Sequence, residues 1–130
     1  MVGSKASVSE LLDKLVSGLG DAGSSVDVVG APPSVYLHLA HSLLSGSSVQ
    51  LCAQNCHEKP SGAFTGEHSV DMLSDVGCKW VIIGHSERRH VFGEQDAQLT
   101  LKVFVLSLFF FFCSQSKKKR LLLLKRAILV

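Results

Sequence analysis

The residues Lys79-Trp80-Val81-Ile82-Ile83-Gly84-His85-Ser86-Glu87-Arg88-Arg89 constrain this chain more than any other segment. Lys79 to Ile83 is a short apolar run rich in β-branched residues, the pattern of a strand covered on both faces. Gly84 permits a sharp exit, and Ser86 can cap a helix by accepting a backbone N–H bond. The segment therefore predicts a buried strand that delivers His85 to the mouth of a helix. In parallel α/β folds, that end of a strand is where ligands bind.

The rest of the chain alternates in the same way. Val8, Leu11, Leu12, Leu15, Val16 and Leu19 recur at helical spacing, with Ser7 and Glu10 as a capping-box pair and Gly18 and Gly20 as the stop. Val26 to Val29 reads as a short strand, and Pro32 and Pro33 open a second helix. Val49 to Ala53 is a strand, Gln54 to His68 a long polar loop, and Val70 to Val76 a short helix closed by Gly77. Helix, strand, helix, strand, helix, strand, helix implies right-handed βαβ units and a parallel sheet.

Four segments carry a family resemblance: Ala31-Pro32-Pro33, Ala53-Gln54-Asn55-Cys56, Gly62-Ala63-Phe64-Thr65-Gly66-Glu67 and Trp80 to Glu94. In order and spacing they resemble the triosephosphate isomerase family, over about residues 3 to 102. The resemblance implies an α/β fold, a partial TIM (β/α)8 barrel with about three parallel strands and flanking helices. A complete barrel typically takes about 250 residues, so this chain of 130 is expected to supply roughly half. The implied reaction interconverts dihydroxyacetone phosphate and D-glyceraldehyde 3-phosphate in glycolysis and gluconeogenesis. It implies no metal or organic cofactor, a small phosphorylated triose as substrate, a homodimer and a cytoplasmic location.

Charge divides the chain. Residues 1–102 carry 7 Lys and Arg against 11 Asp and Glu, a net −4, whereas residues 103–130 carry 6 Lys and Arg and no acid, a net +6. Two units are expected, a partial isomerase barrel over 1–102 and an apolar, basic tail of unrelated sequence over 103–130. The tail has four consecutive phenylalanines, Phe109 to Phe112, and the basic run Lys117 to Arg120, and no single period fits it. Its apolar run Val103 to Cys113 falls short of the ~20 residues a spanning helix needs. Membrane contact through the tail is not expected, and the single basic cluster lacks a nucleic-acid recognition fold. Cys52, Cys56, Cys78 and Cys113 form no C-x-x-C pair and read as reduced structural thiols.

By the resemblance, His85 is the catalytic electrophile, a neutral imidazole that hydrogen-bonds the substrate oxygens as an enediolate forms. A helix N-terminus disfavours imidazolium, and the histidine of triosephosphate isomerase is itself the standard illustration of that effect. Glu87 is either a polar neighbour that organises the site or a carboxylate that stabilises the helix N-terminus. Gln54, Asn55, Thr65, Glu67 and Arg88 are implied dimer-interface residues. The loop would enter the partner, Thr65 would approach the partner active site, and Glu67 would pair with Arg88 of the other subunit. The bland alternative is a solvated surface loop. His38, His41, His57, His68 and His90 share no motif and are expected at surface or satisfied positions.

The family's asparagine and lysine after its first strand, its glutamate base, its lid and its phosphate loop have no counterpart in these residues. Proton abstraction beside a carbonyl needs a positioned base, so this chain alone is expected to be inactive. Two other functions remain open: a non-catalytic fragment that binds a full-length isomerase subunit, and tail-driven association with a membrane surface.

Overall fold

The computed structural model describes residues 3–19, 27–115 and 126–129, with side chains for 3–19 and 27–108. Gly20, Val26 and the run Lys117 to Arg120 lie outside the described residues, as do the side chains of Phe109 to Phe112 and Cys113. Helix α1 (Lys5–Leu19) leads to strand β1 (Val29–Gly30), a 3-10 turn (Ser34–Tyr36), α2 (Leu37–Leu43) and β2 (Gln50–Ala53). Then follow α3 (Val70–Asp75), β3 (Trp80–Ile83), α4 (Ser86–His90), α5 (Asp96–Gln115) and β4 (Arg126–Leu129).

The four strands form one sheet in the order β1-β2-β3-β4, every neighbouring pair parallel. A sheet whose order never reverses is wound in one direction only, and right-handed crossovers then put all its helices on one face. That arrangement belongs to a barrel rather than to a doubly wound sheet. The three expected strands are present. The fourth comes from the tail, aligned on β3 from Trp80↔Arg126 to Ile83↔Leu129.

Side-chain alternation sorts the strands into two faces. Leu51, Ala53, Val81 and Ile83 belong to the buried cluster formed with the helices, through Val8, Leu12, Ala40 and Leu73. Gln50, Cys52, Trp80 and Ile82 take the opposite positions and stand outside that cluster. There the Trp80 indole N–H donates to Gln50 Oε1 at 2.7 Å. Coverage of β3 on both faces is thus only half realised among the described residues: Trp80 and Ile82 are half-buried, while Val81 and Ile83 are fully buried.

Two helix starts differ from expectation. Ser4, not Ser7, begins α1: the Ser7 N–H donates to Ser4 Oγ at 3.2 Å and the Ser4 N–H to Ser7 Oγ at 2.8 Å. Ser7 therefore fills the role that Glu or Gln usually plays in a capping box. Gly18 lies inside α1 rather than ending it. The second difference, at Ser86, involves the site itself and is described below. Helix α3 starts as a cap should, with Ser69 Oγ accepting the Met72 N–H at 3.3 Å. Gly77 ends that segment at φ +99°, a left-handed conformation that glycine adopts without strain.

Helix α5 passes through Lys102 and Val103 without a break. Its inward face is Leu99, Lys102 and Leu106. Leu101, Phe104 and Leu108 are exposed on the other side, which explains why hydrophobicity alone shows no helical period here.

Candidate functional site

His85 sits where β3 ends and α4 begins, and it is itself the cap of α4. Its Nδ1 accepts the Glu87 backbone N–H at 3.2 Å. Ser86, the residue expected to cap, is instead the first helical residue, so the histidine takes over one of the orphan donors of the helix end. The bond has a chemical consequence. A nitrogen that accepts carries no proton, so the proton of the neutral ring lies on Nε2. The Glu87 carboxylate lies 3.9 Å from the same Nδ1, but a ring that accepts there offers it no N–H, and Glu87 is 75% exposed. Glu87 therefore contributes through its backbone amide and through its charge at the helix N-terminus.

The turn that presents His85 is fixed locally. Gly84 has φ +75°, which favours glycine. A Cβ there would press on the Arg89 guanidinium at 3.3 Å and on Leu99 at 3.4 Å. Arg89 Nε donates to the Gly84 carbonyl at 3.0 Å, and its Nη1 meets Asp96 Oδ1 at 2.5 Å. One side chain thus ties the exit of β3 to the start of α5.

The ends of β1 and β2 lie at the same edge. Gln54 Nε2 donates to the Ala31 carbonyl at 2.8 Å, linking the residues that follow the two strands. Asn55 Oδ1 accepts from Lys102 Nζ at 2.9 Å. Lys102 also pairs with Glu94, and the two side chains are only 3% and 4% exposed. Arg88 Nε lies 3.7 Å from the second Glu94 oxygen, too far for a hydrogen bond, and neither of those two atoms has another partner among the described residues. Glu94 thus gathers Asn55 (through Lys102) and Arg88 at one buried carboxylate. Thr65 and Glu67 are exposed at the far end of the loop. The base of that loop is pinned by the His57 N–H donating to the His68 carbonyl at 2.9 Å.

Sequence reasoning missed Glu94 and Lys102, and it missed the exposed apolar pair Val91 and Phe92 beside Arg88, whose guanidinium lies 4.8 Å from the Phe92 ring centre. A signal for Lys102 was present, since a lysine between Leu99 and Leu106 sits on an apolar helix face. Cys52, Cys56 and Cys78 are free and buried. Burial pushes the thiols of Cys52 and Cys56 up to about 11 and that of Cys78 up to about 12. They are therefore inert rather than nucleophilic at neutral pH. A cavity of about 250 Å³ lined by His41, Ser47, Gln50, Gly77 and Lys79 opens at the opposite, N-terminal end of the strands. It has no part in the His85 site. Among the described residues, no helix is long and apolar enough to cross a membrane.

A singly wound parallel sheet with a histidine poised at the C-terminal end of one strand defines a segment of a (β/α)8-barrel enzyme. The family model for triosephosphate isomerase matches residues 1–113, past Lys102 and into the second half of α5, and the chain belongs to that family. Triosephosphate isomerase of Zygosaccharomyces bailii is 48% identical over 106 residues, 81% of this chain and 42% of that protein. The Aquifex aeolicus enzyme is 51% identical over 79 residues, 61% of this chain and 32% of that protein. The Saccharomyces cerevisiae enzyme is 49% identical over 94 residues, 72% of this chain and 37% of that protein. The chain thus spans about two fifths of the length of these curated relatives, or less.

Proposed function

We propose that this chain carries the carbonyl-polarising part of a triosephosphate isomerase site, with His85 as the electrophile. The complete barrel would interconvert dihydroxyacetone phosphate and D-glyceraldehyde 3-phosphate, as glycolysis and gluconeogenesis require. The observation that carries the reading is the Nδ1 bond to the Glu87 amide. It commits the ring to an Nε2–H donor that can hydrogen-bond a substrate oxygen as negative charge grows there. Isomerisation also needs a base to take the proton beside the carbonyl. The family resemblance assigns that role to none of the residues grouped around His85, so in this reading the 130 residues by themselves do not turn substrate over.

Histidine-selective 15N NMR tests the reading. The His85 ring should show a protonated Nε2 and an unprotonated Nδ1, and millimolar dihydroxyacetone phosphate should shift Nε2. A protonated Nδ1, or spectra unmoved by the ligand, would remove His85 from the role. Isomerase turnover above a His85→Ala control would refute the proposed inactivity.

The same reading makes Gln54, Asn55, Thr65, Glu67 and Arg88 a subunit interface. Thr65 and Glu67 are exposed, and the half-buried Arg88 side chain lies beside the exposed Val91 and Phe92. A carboxylate such as the partner's Glu67 would pair with the part of the Arg88 side chain that remains exposed. Gln54 and Asn55 act from behind, because both are already bonded within their own chain. Binding to a full-length isomerase subunit follows from this surface, and co-purification with that enzyme, lost in Arg88→Glu, checks it. The buried reduced thiols suit a cytoplasmic location.

A further inference from the structure

We infer that Arg89, anchored on Asp96, is the positioning residue of His85: it pins the two peptide carbonyls that flank His85 and so keeps the ring Nδ1 on the Glu87 amide. The inference rests on the electrophile role proposed above and adds to it a residue that acts only through the histidine. Three observations carry it. The first is that one residue holds both carbonyls. The Gly84 carbonyl accepts the Arg89 Nε–H at 3.0 Å, and the His85 carbonyl accepts the Arg89 backbone N–H at 3.1 Å. A peptide unit is planar, so each bonded carbonyl fixes a whole unit. With the units on either side held, His85 stays at φ −51° and ψ 141°. The direction of its Cβ is then set, and Nδ1 meets the Glu87 N–H at 3.2 Å.

The second observation is the room left for the guanidinium. A Cβ at position 84 would lie 3.3 Å from Arg89 Nη2 and 3.4 Å from Arg89 Nε. The guanidinium therefore occupies space that a side chain at 84 would contest. Gly84 serves twice, once through its left-handed φ of +75° and once by letting the arginine approach its carbonyl.

The third observation is the anchor. Arg89 Nη1 donates to Asp96 Oδ1 at 2.5 Å. A guanidinium is a rigid planar fork, so the carboxylate that fixes Nη1 also fixes the direction of the Nε–H. The two side chains are 39% and 88% exposed, and an ion pair that exposed adds little stability. What the pair supplies is geometry. Asp96 is the first residue of α5, so the start of that helix enters the orientation of His85. The neighbouring Arg88 shows the contrast: its Nε faces Glu94, and its side chain bonds to neither carbonyl.

The test is histidine-selective 15N NMR of the full 130-residue chain without substrate, with the His85 signals assigned by their absence in His85→Ala. The readout is the ratio of the Nε2–H to the Nδ1–H form of the ring, which a loss of stability alone does not move. Arg89→Met removes the guanidinium and should lower that ratio roughly tenfold, the change that one hydrogen bond of about 1.4 kcal/mol makes. Arg89→Lys keeps the charge but should recover little, because one ammonium cannot reproduce the fork. Asp96→Ala should shift the ratio the same way by less, since the bond to Gly84 remains. Arg88→Met takes a charge from the same helix and should leave the ratio unchanged. Helical circular dichroism reports the fold of each variant, and if Arg89→Met does not fold, Arg89→Lys and Asp96→Ala decide. A ratio that these variants leave unmoved, full rescue by lysine, or an equal shift in Arg88→Met would overturn the inference. A protonated Nδ1 in the parent chain would remove the role of His85 and this inference with it. An Nε2–H ring in the parent that Arg89→Met does not disturb would remove Arg89 alone.

Discussion

Lys102→Met should be among the most damaging single substitutions outside the hydrophobic cluster. The replacement keeps an unbranched stem of similar volume and removes only the charge. It leaves the Glu94 carboxylate, 4% exposed, with Arg88 Nε at 3.7 Å as its nearest cation and no hydrogen bond to that oxygen. It also strips Asn55 Oδ1 of its donor. Removing one partner of a buried pair costs about 3–5 kcal/mol, because the other charge stays buried without compensation. At a urea slope of about 2 kcal/mol per molar, that is a fall of roughly 2 M in the unfolding midpoint. The loss should also be local. Lys102 joins α5 to the segment after β2, so amide exchange at Asn55 and Cys56 should accelerate more than at β3. Adding Glu94→Gln to Lys102→Met removes the stranded charge and should recover more than half of the loss. A midpoint within about 0.3 M of the parent, or a double variant as unstable as the two single effects added together, would refute the argument that uncompensated charge is the dominant cost.

Two further outcomes follow from other parts of the fold. Gly77→Ala forces a side chain onto φ +99° and drives its Cβ to 2.3 Å from the His41 ring. The expected loss is about 1–3 kcal/mol, and His41→Ala in the same chain should restore the steric part but not the backbone strain, so full rescue or none would contradict the geometry. The thiols set an alkaline limit. Their folded-state values of about 11 to 12 lie above the ordinary value of 9.0, so the unfolded chain releases these protons first. Their contribution is intact below pH 9 and is lost as pH rises toward 11 to 12. Urea midpoints should fall across that window, less steeply in Cys52→Ala/Cys78→Ala, and Ellman's reagent at pH 8 should label these three cysteines only after denaturant is added. An equal slope in the double variant would assign the alkaline loss to other groups.

Much of the architecture was legible because its signals are local. The β-branched run of β3, the apolar stripe of α1 and the positive-φ glycine after α3 each name their element without help from the rest of the chain. The helix caps were misread because several side chains within three residues could serve. Ser4 and Ser7 bond reciprocally at α1, and a histidine nitrogen takes the place of the Ser86 hydroxyl at α4. The tail was least legible. Leu101, Phe104 and Leu108 make the outward face of α5 as apolar as its inward face, so burial leaves no periodic trace. Strand β4 is defined by its pairing with β3, a contact between residues more than forty positions apart that no local pattern announces. Glu94 and Lys102 were hidden for a related reason. Each looks like an ordinary surface charge until the fold brings Asn55 and Arg88 to them.

The site shows how far local order can be separated from catalysis. Among the described residues, the bonds that fix the His85 turn lie between Gly84 and Asp96: the left-handed glycine, the Glu87 amide on Nδ1, and Arg89 bridging the Gly84 carbonyl and the Asp96 carboxylate. These bonds need β3 and the start of α5, and they need nothing from the rest of a barrel. A chain that spans 42% or less of its relatives therefore holds His85 with Nδ1 bonded to the Glu87 amide, as the proposed electrophile role needs. The reaction, by contrast, draws its groups from the ends of several different strands, as barrel enzymes generally do. In the proposed role the histidine would supply hydrogen bonding to the developing oxyanion and no route for the carbon-bound proton. The tautomer of His85 and the turnover of the chain are consequently two separate measurements. A positive result for the first and a negative one for the second is the pair that the proposed function requires.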